Sequence, residues 1–560
     1  MLTSISVRNF KQFEDITVDL DDVVVFVGPN DSGKTTALQA LSLWELGMRR
    51  WYDRWGAVTT ADVQRPGVSI NRLDLFSVPV NHAGQLWRGL RTREANRKSG
   101  GTSNIRIEIE VHGRAVSGNE WICGFEFDYA NSESFYCRPL RTSPDGNVRM
   151  EVPAGALAER VAFLPPMSGL SSSEAMLQPG TINVLLGQGR TAEVLRNLCY
   201  QVFENHRVGW EDVLVPRMRE LFGATILDPQ FNQERGEITL RYQDSRMPSL
   251  ELDVSSAGRG FQQTLLLTSY MLLHPRSIIM LDEPDAHLEI LRQRQIYQAI
   301  TETASEQGSQ LLVATHSEVI LNEAGSRHLI TAFVGRPHRM DGRSSQVLKS
   351  LTEIGFENYL QAAQQGWVLY LEGSTDLAIL QAFARRLGHE AESVLQRPFV
   401  HYVGNQPMQA RQHFYGLREA CRDLLGFALY DHLNLPGQPG DALKEYSWQK
   451  REIENYLCNR EVLLRWVDAD FPLFRQGMEE AIADVENARQ VLNQPSPWDD
   501  ATKVSDDFLG PMFNAFYAKS GLAGHLQKSD YHFLVDHLET DEISPEVILV
   551  LDGIVEVANQ

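Results

Sequence analysis

The sequence is poor in cysteine. Its 560 residues hold five, Cys123, Cys137, Cys199, Cys421 and Cys458, and no two are spaced C-x-x-C. That excludes a disulfide framework and a structural zinc site, and it is the usage expected of a reducing cytoplasm. No apolar run approaches the roughly 18 residues of a membrane span, and the N-terminus lacks a signal-peptide pattern, so no membrane partner is expected. Sustained a/d heptads are absent, which excludes a long coiled-coil arm. Positive charge is scarce too. A formal net charge of −21 weighs against wholesale electrostatic binding of nucleic acid, though not against a local groove. The stretch Arg88, Arg91, Arg93, Arg97, Lys98, ending in Ser99-Gly100-Gly101, is either such a phosphate-contacting patch or a solvated loop. Much of the acidic surplus lies in the C-terminal third, where it would repel nucleic acid or hold divalent metal.

What is present is a complete phosphate loop. Residues 28–35 read Gly-Pro-Asn-Asp-Ser-Gly-Lys-Thr, matching G-x-x-x-x-G-K-[ST]. The apolar, β-branched run Val23–Val27 before it suits a buried strand, and Thr36–Leu41 after it has helical composition. Gly28 and Gly33 would let backbone N–H groups turn inward around a polyphosphate, with Asn30, Ser32 and Thr36 in the same cradle. Lys34 would reach the β- and γ-phosphates of ATP, and the Thr35 hydroxyl would bind Mg²⁺. A nucleoside triphosphate is therefore the expected ligand.

Acidic partners for that loop come late in the chain. The run Ser277–Leu281 reads as a second buried strand and ends in Asp282-Glu283-Pro284-Asp285. At such a strand end Asp282 would hold Mg²⁺, and Glu283 would be the general base that polarises the attacking water. A third strand, Gln310–Ala314, leads into Thr315-His316-Ser317, where His316 can contact the γ-phosphate. The ordered set is far more specific than any one piece. Some 560 residues imply two to four domains.

Further motifs carry a family resemblance. Ser255-Ser256-Ala257-Gly258-Arg259-Gly260 resembles the signature loop of ABC ATPases, though it departs from the usual Leu-Ser-Gly-Gly-Gln. The resemblance implies that Ser256 and Gly258 touch ATP held by another copy, so a homodimer or higher homo-oligomer is expected. Leu2–Lys11 alternates like a half-exposed strand and resembles the opening strand of the SMC/RecF/OLD branch. Only about 220 residues separate the loop from the signature, too few for a long tether. Arg160–Leu170 would occupy the position of that family's Q-loop. Helical stretches around 181–222 would form a compact dimerisation arm.

After residue 350 the pattern restarts. Trp367–Leu371 reads as a strand ending in Glu372-Gly373-Ser374-Thr375-Asp376, and a helix is expected over 377–387. Carboxylates at 372 and 376, one helical turn apart, can converge on one metal. A strand Gly426–Tyr430 ends in Asp431. This arrangement resembles the Toprim domain, in which such residues bind Mg²⁺ for phosphodiester chemistry. The resemblance implies Glu372, Asp376, Asp431 and Glu454 as metal ligands, Mg²⁺ or Mn²⁺ as the metal, Glu372 and Asp431 as catalytic, and Lys528 as a transition-state cation. Where the family has Asp-x-Asp, this chain has Asp431-His432-Leu433-Asn434. Leucine cannot ligate a hard cation, so Glu452, Glu454 or Asp441 would have to rebuild the position.

Both halves together resemble the OLD (overcoming lysogenization defect) family. The expected architecture is α/β: an ABC-type ATPase domain over 1–350 with a helical insertion at about 181–222, then a Toprim-like α/β domain over 366–560 with a C-terminal helical extension. The resemblance implies a cytoplasmic ATPase of bacterial anti-phage defence coupled to a nuclease, with nucleic acid as substrate or trigger. Two alternatives stay open. One is an ATP-gated sensor and scaffold with an inactive Toprim that restrains a separate effector protein, which Leu433 favours. The other is a DNA-repair ATPase of the RecF kind, which would not need Glu372 or Asp431.

Overall fold

The computed structural model describes residues 1–56, 65–96, 101–143, 148–167, 170, 173–325, 327–333, 336–340, 355–433, 440, 442–522 and 525–560. Arg97, Lys98, Ser99 and Gly100 of the basic stretch lie outside the described residues, as do Ser168, Gly169, Asn434 and Asp441. The chain divides into two compact units, 1–344 and 345–560.

In the first unit, continuous apolar runs become strands buried on both faces, as parallel sheets require. Their order is Val161–Leu164, Ile278–Asp282, Gln310–Thr315, Val23–Val27 and Leu329–Ala332, all parallel, with His338–Arg339 added antiparallel at one edge. Sequences with period two build a separate antiparallel sheet instead. Its order is Phe13–Asp19, Leu2–Phe10, Ile107–Arg114, Glu120–Tyr129, Ser134–Pro139 and Val68–Asn71. Every second residue of Ile107–Val111 is buried, as alternation dictates.

The helix Lys34–Trp55 shares one apolar core with residues of both sheets. Trp44 donates its indole N–H to the Cys123 carbonyl at 2.9 Å. Gly47 lets the helix approach Phe127, whose ring would stand 2.9 Å from an added Cβ. Helices Pro179–Gly187, Leu195–Asn205 and Val215–Phe222, with a π turn at Gly209–Leu214, fill the stretch read as an insertion.

The second unit is built on four parallel strands in the order Val400–Tyr402, Trp367–Leu371, Leu425–Tyr430, Leu443–Ser447. The helix Ser374–Leu387 follows the Trp367 strand, starting three residues earlier than the sequence suggested because Asp376 caps its first turn. A helical layer follows the sheet: Arg460–Asp470, Arg475–Val491, Gly510–Ser520 and Pro545–Asn559, with a 3₁₀ segment Lys528–His537. Its apolar faces join the strands in one core that includes Leu371, Phe383, Trp466, Phe513 and Leu551. Both units are mixed α/β, as the sequence predicts.

Candidate functional site

The phosphate loop leaves the centre of the parallel sheet. Gly33 caps the following helix at φ 108°, a conformation that costs an L side chain about 1–2 kcal/mol. Space forbids one as well, because an added Cβ would lie 2.4 Å from the Gln12 amide and 2.7 Å from the Phe13 ring. At Gly28 a Cβ would meet the Phe333 carbonyl at 2.8 Å. Gln12 braces the loop from outside by donating to the Asp31 carbonyl at 3.2 Å.

Lys34 is buried and folds across the loop, donating to the carbonyls of Gly28 and Pro29 at 2.7 and 2.8 Å. Burial pulls its ammonium below the ordinary lysine range, opposed by the charges of Glu283, Asp282 and Asp285. Asn30 is exposed, Thr36 is buried, and the Ser32 hydroxyl is buried without a hydrogen-bond partner.

Asp282 ends its strand facing Thr35, whose hydroxyl donates to the two carboxylate oxygens at 2.9 and 3.1 Å. Burial pushes the Asp282 carboxyl up to about 6, with the neighbouring Glu283 adding to it and the Thr35 hydrogen bond opposing. Glu283 sits at φ 48°, an uncommon backbone state for a glutamate, held by its N–H to the Ala314 carbonyl at 2.8 Å. Strain of this kind, worth about 1–3 kcal/mol, clusters at functional sites. Its carboxylate stands 3.5 Å from His316 Nδ1.

Two further residues join the set. Asp285 accepts from the Thr315 hydroxyl at 2.6 Å, and Thr315 in turn accepts from the Ser317 N–H at 2.9 Å. Both lie inside motifs visible in the sequence, but nothing there paired them. The chemistry suits Mg²⁺ and a triphosphate: two glycine positions closed to side chains, a lysine, and a hydroxyl–carboxylate pair.

Ser256 and Gly258 stand apart from this group. Both are exposed at the start of the helix Arg259–Leu273; Ser256 donates to the Asp253 carbonyl at 2.7 Å, and nothing lies within 4 Å of a Cβ built at Gly258. Among the described residues no hydrogen bond or ion pair ties them to 28–35. Asp253 is tied to the helical insertion through the fully buried Arg196 at 2.8 Å. Of the basic stretch, Arg88 pairs with Glu14 at 2.9 Å, while Arg91 and Arg93 are exposed.

In the second unit the strand ends gather acid. Glu372, Asp376 and Glu452 all act on Asp431. Burial first, then these like charges, push the Asp431 carboxyl up to about 9. Asp376 accepts from the Gly373 N–H at 2.7 Å, and burial holds it up at about 6. Glu454 rises to about 7, from burial and the charge of Glu452, and its Oε1 is buried without a hydrogen bond.

Lys528 reaches this cluster, 3.6 Å from Glu454 and donating to the Ser505 hydroxyl at 3.1 Å. Ser505 binds Glu452 twice, through its N–H at 2.5 Å and its hydroxyl at 2.9 Å. Ser505 carries no motif, and its role could not be seen from the sequence. Leu433 is half-buried, its N–H bonded to the Ser447 hydroxyl at 2.9 Å. Five carboxylates, with Lys528 and Lys503 facing them, are a donor set for a hard divalent cation. Among the described residues, however, no three of them are set closely enough to hold a metal ion as they stand.

Comparison with known proteins bears on the first unit most directly. Residues 1–44 match the family model of the AAA ATPase domain, and residues 204–322 match a AAA domain model described with the AbiEii toxin and Type IV TA system. The OLD nuclease of Thermus scotoductus is 22% identical over 344 residues, 57% of this chain and 59% of that protein. The chain thus spans less than two thirds of that relative's length. Solved SMC heads are a distant likeness. The head bound to the C-terminal winged-helix domain of ScpA has a TM-score of 0.36, covering 61% of this chain and 98% of that one. The Thermotoga maritima head has a TM-score of 0.32, covering 61% and 99%. Both are 13% identical. Among the described residues no helix is long and apolar enough to cross a membrane.

Proposed function

We propose that this chain, which carries AAA-type ATPase segments and is related to an OLD nuclease, hydrolyses ATP in its first unit and cleaves phosphodiesters in its second. The observation that carries the first half is the tie between Thr35 and Asp282, which joins the phosphate loop to the acidic strand end. Thr35 and Asp282 would hold Mg²⁺, which neutralises charge on the phosphates. Lys34 would exchange its loop carbonyls for phosphate oxygens. Glu283 is the general base, and His316, 3.5 Å away, would orient it and contact the γ-phosphate. Ser256 and Gly258 are exposed as a surface for ATP bound by a second copy should be, so the working ATPase is a homodimer or a larger homo-oligomer.

The second unit is read as Toprim-like, with Glu372, Asp376, Asp431 and Glu454 holding Mg²⁺ or Mn²⁺ and Lys528 countering charge on the scissile phosphate. Its support is the donor chemistry: buried acids with raised affinity for protons are those that a divalent cation would discharge. Bacterial anti-phage defence, in the cytoplasm and with nucleic acid as substrate or trigger, is the setting that the OLD resemblance supports.

A second reading rests on Leu433. With an apolar side chain beside Asp431, the unit would be an ATP-gated scaffold that restrains a separate effector. One assay separates the two. Purified protein with Mg²⁺ or Mn²⁺, with and without ATP, is offered plasmid, single-stranded DNA and tRNA beside the Glu372→Ala, Asp431→Ala double variant. Cleavage that the double variant loses is the expected result. Intact ATP hydrolysis with no cleavage by the wild type favours the scaffold.

A further inference from the structure

Glu372 and Asp431 follow the ends of adjacent strands in the second unit, and an aromatic residue closes the next strand of the same sheet. Tyr402 closes the edge strand Val400–Tyr402 in register with Leu371, the residue before Glu372. Neighbouring strands lie about 4.8 Å apart, so the Tyr402 backbone is one strand from Glu372 and two from Asp431. Residues in register on parallel strands project to the same face, and Leu371 packs into the core formed with the helix Ser374–Leu387. Asp376 lies in the first turn of that helix and is close enough to Tyr402 for its charge to act on the phenol.

Tyr402 nevertheless remains 46% exposed. No hydrogen bond or ring contact holds its side chain among the described residues. The chain then turns through Gly404 and Asn405, both at positive φ. On the other flank of the cluster, Lys528 opens onto a cavity of about 420 Å³ lined by Asn514, His525, Gln527 and Tyr531.

Charge decides what such an edge could hold. The chain carries −21, and the lysines at the site are Lys503 and Lys528, each facing acids: Asp506 at 2.7 Å and Glu454 at 3.6 Å. Phosphate attraction, the usual source of nucleic-acid affinity, has little to work with here. Stacking does not depend on charge: an exposed ring takes any base with an open face, and a base inside a duplex offers no such face. We propose that Tyr402 is a stacking platform for a base of an unpaired nucleic-acid strand, and that it makes single strands the substrate class of the second unit. The inference rests on the nuclease reading of that unit, and it adds the specificity.

The test uses the full chain and fluorescence anisotropy, with Ca²⁺ present so that strands are held and not cut. The probes are a labelled single strand, in DNA and RNA forms, an abasic strand of the same length, and a blunt duplex. The single strands should bind at least about 5-fold tighter than the abasic strand, with a shallow dependence on salt. Tyr402→Ala should erase that margin, Tyr402→Trp should keep it, and a wild-type melting transition of the second unit in both variants reports that it is folded. Equal binding of normal and abasic strands, or unchanged binding by Tyr402→Ala, overturns the platform. Cleavage with Mg²⁺ or Mn²⁺ is read separately. Its absence beside Tyr402-dependent binding sinks the nuclease and leaves the platform, whereas cleavage with no Tyr402 dependence does the reverse.

Discussion

Both units gather carboxylates at the carboxyl ends of parallel strands, but they balance them differently. In the first unit Asp282 meets a hydroxyl, a buried lysine lies close by, and its carboxyl rises only to about 6. In the second, acids crowd one another around Lys528, and Asp431 rises to about 9. The first site sets one buried lysine among Asp282, Glu283 and Asp285, and a hydroxyl takes up the Asp282 carboxylate. The second sets acid against acid, and raised carboxyls of that kind are the groups a divalent cation would relieve of their protons.

The largest expected effect breaks the first site and leaves the second alone. Lys34→Ala removes the cation of the loop and should abolish phosphate release from ATP, while divalent-induced stabilisation of the second unit persists; wild-type turnover would sink the assignment. Glu283→Gln should slow hydrolysis by about 10²–10⁴-fold and still bind ATP, accumulating an ATP-dependent oligomer in sedimentation. Normal turnover in that variant would mean that the base lies elsewhere.

Next come the pH and metal effects, which sharpen the contrast. Carboxyls held above their ordinary range bind more protons folded than unfolded. Their contribution to stability is therefore present at low pH and lost as pH rises through the folded values. For Asp376, Glu454 and Asp431 the window runs from about 4 to about 9. Melting of the second unit in chelator should fall across that window, and Mg²⁺ or Mn²⁺ should flatten the fall. A melting point that rises with pH would contradict the cluster. Asp431→Asn should raise the melting point in chelator by a few degrees, about 2–4 °C per kcal/mol of relieved repulsion, and lose most of the metal response. The smallest effect belongs to Thr35→Ser, which keeps the hydroxyl that faces Asp282. It should stay within a few-fold of wild-type turnover, where Thr35→Val falls much further.

The same contrast explains what the sequence discloses. The phosphate loop is eight consecutive residues whose glycines are required by backbone geometry, so the motif and the structure are nearly the same statement. Strand runs such as Val23–Val27 and Trp367–Leu371 appear where their unbroken apolar composition places them, and the OLD resemblance is met by a relative of that name. The second site is assembled from residues between 372 and 528. Glu372 and Asp431 are legible because each ends a strand. Ser505 is not, because its importance lies in two hydrogen bonds to Glu452 across 53 positions of chain. Tyr402 was equally silent, since a tyrosine at a strand end announces nothing until its neighbours in the sheet are known.

Ser447 bears on how much of the second site could be rebuilt. Its hydroxyl donates to the Asp431 carbonyl and accepts from the Leu433 N–H, both at 2.9 Å, so the backbone at 433 is pinned from the adjacent strand whatever side chain it carries. The main chain at 433 is therefore held independently of its side chain, and Leu433→Asp would set a carboxylate two residues from Asp431 on an unchanged backbone.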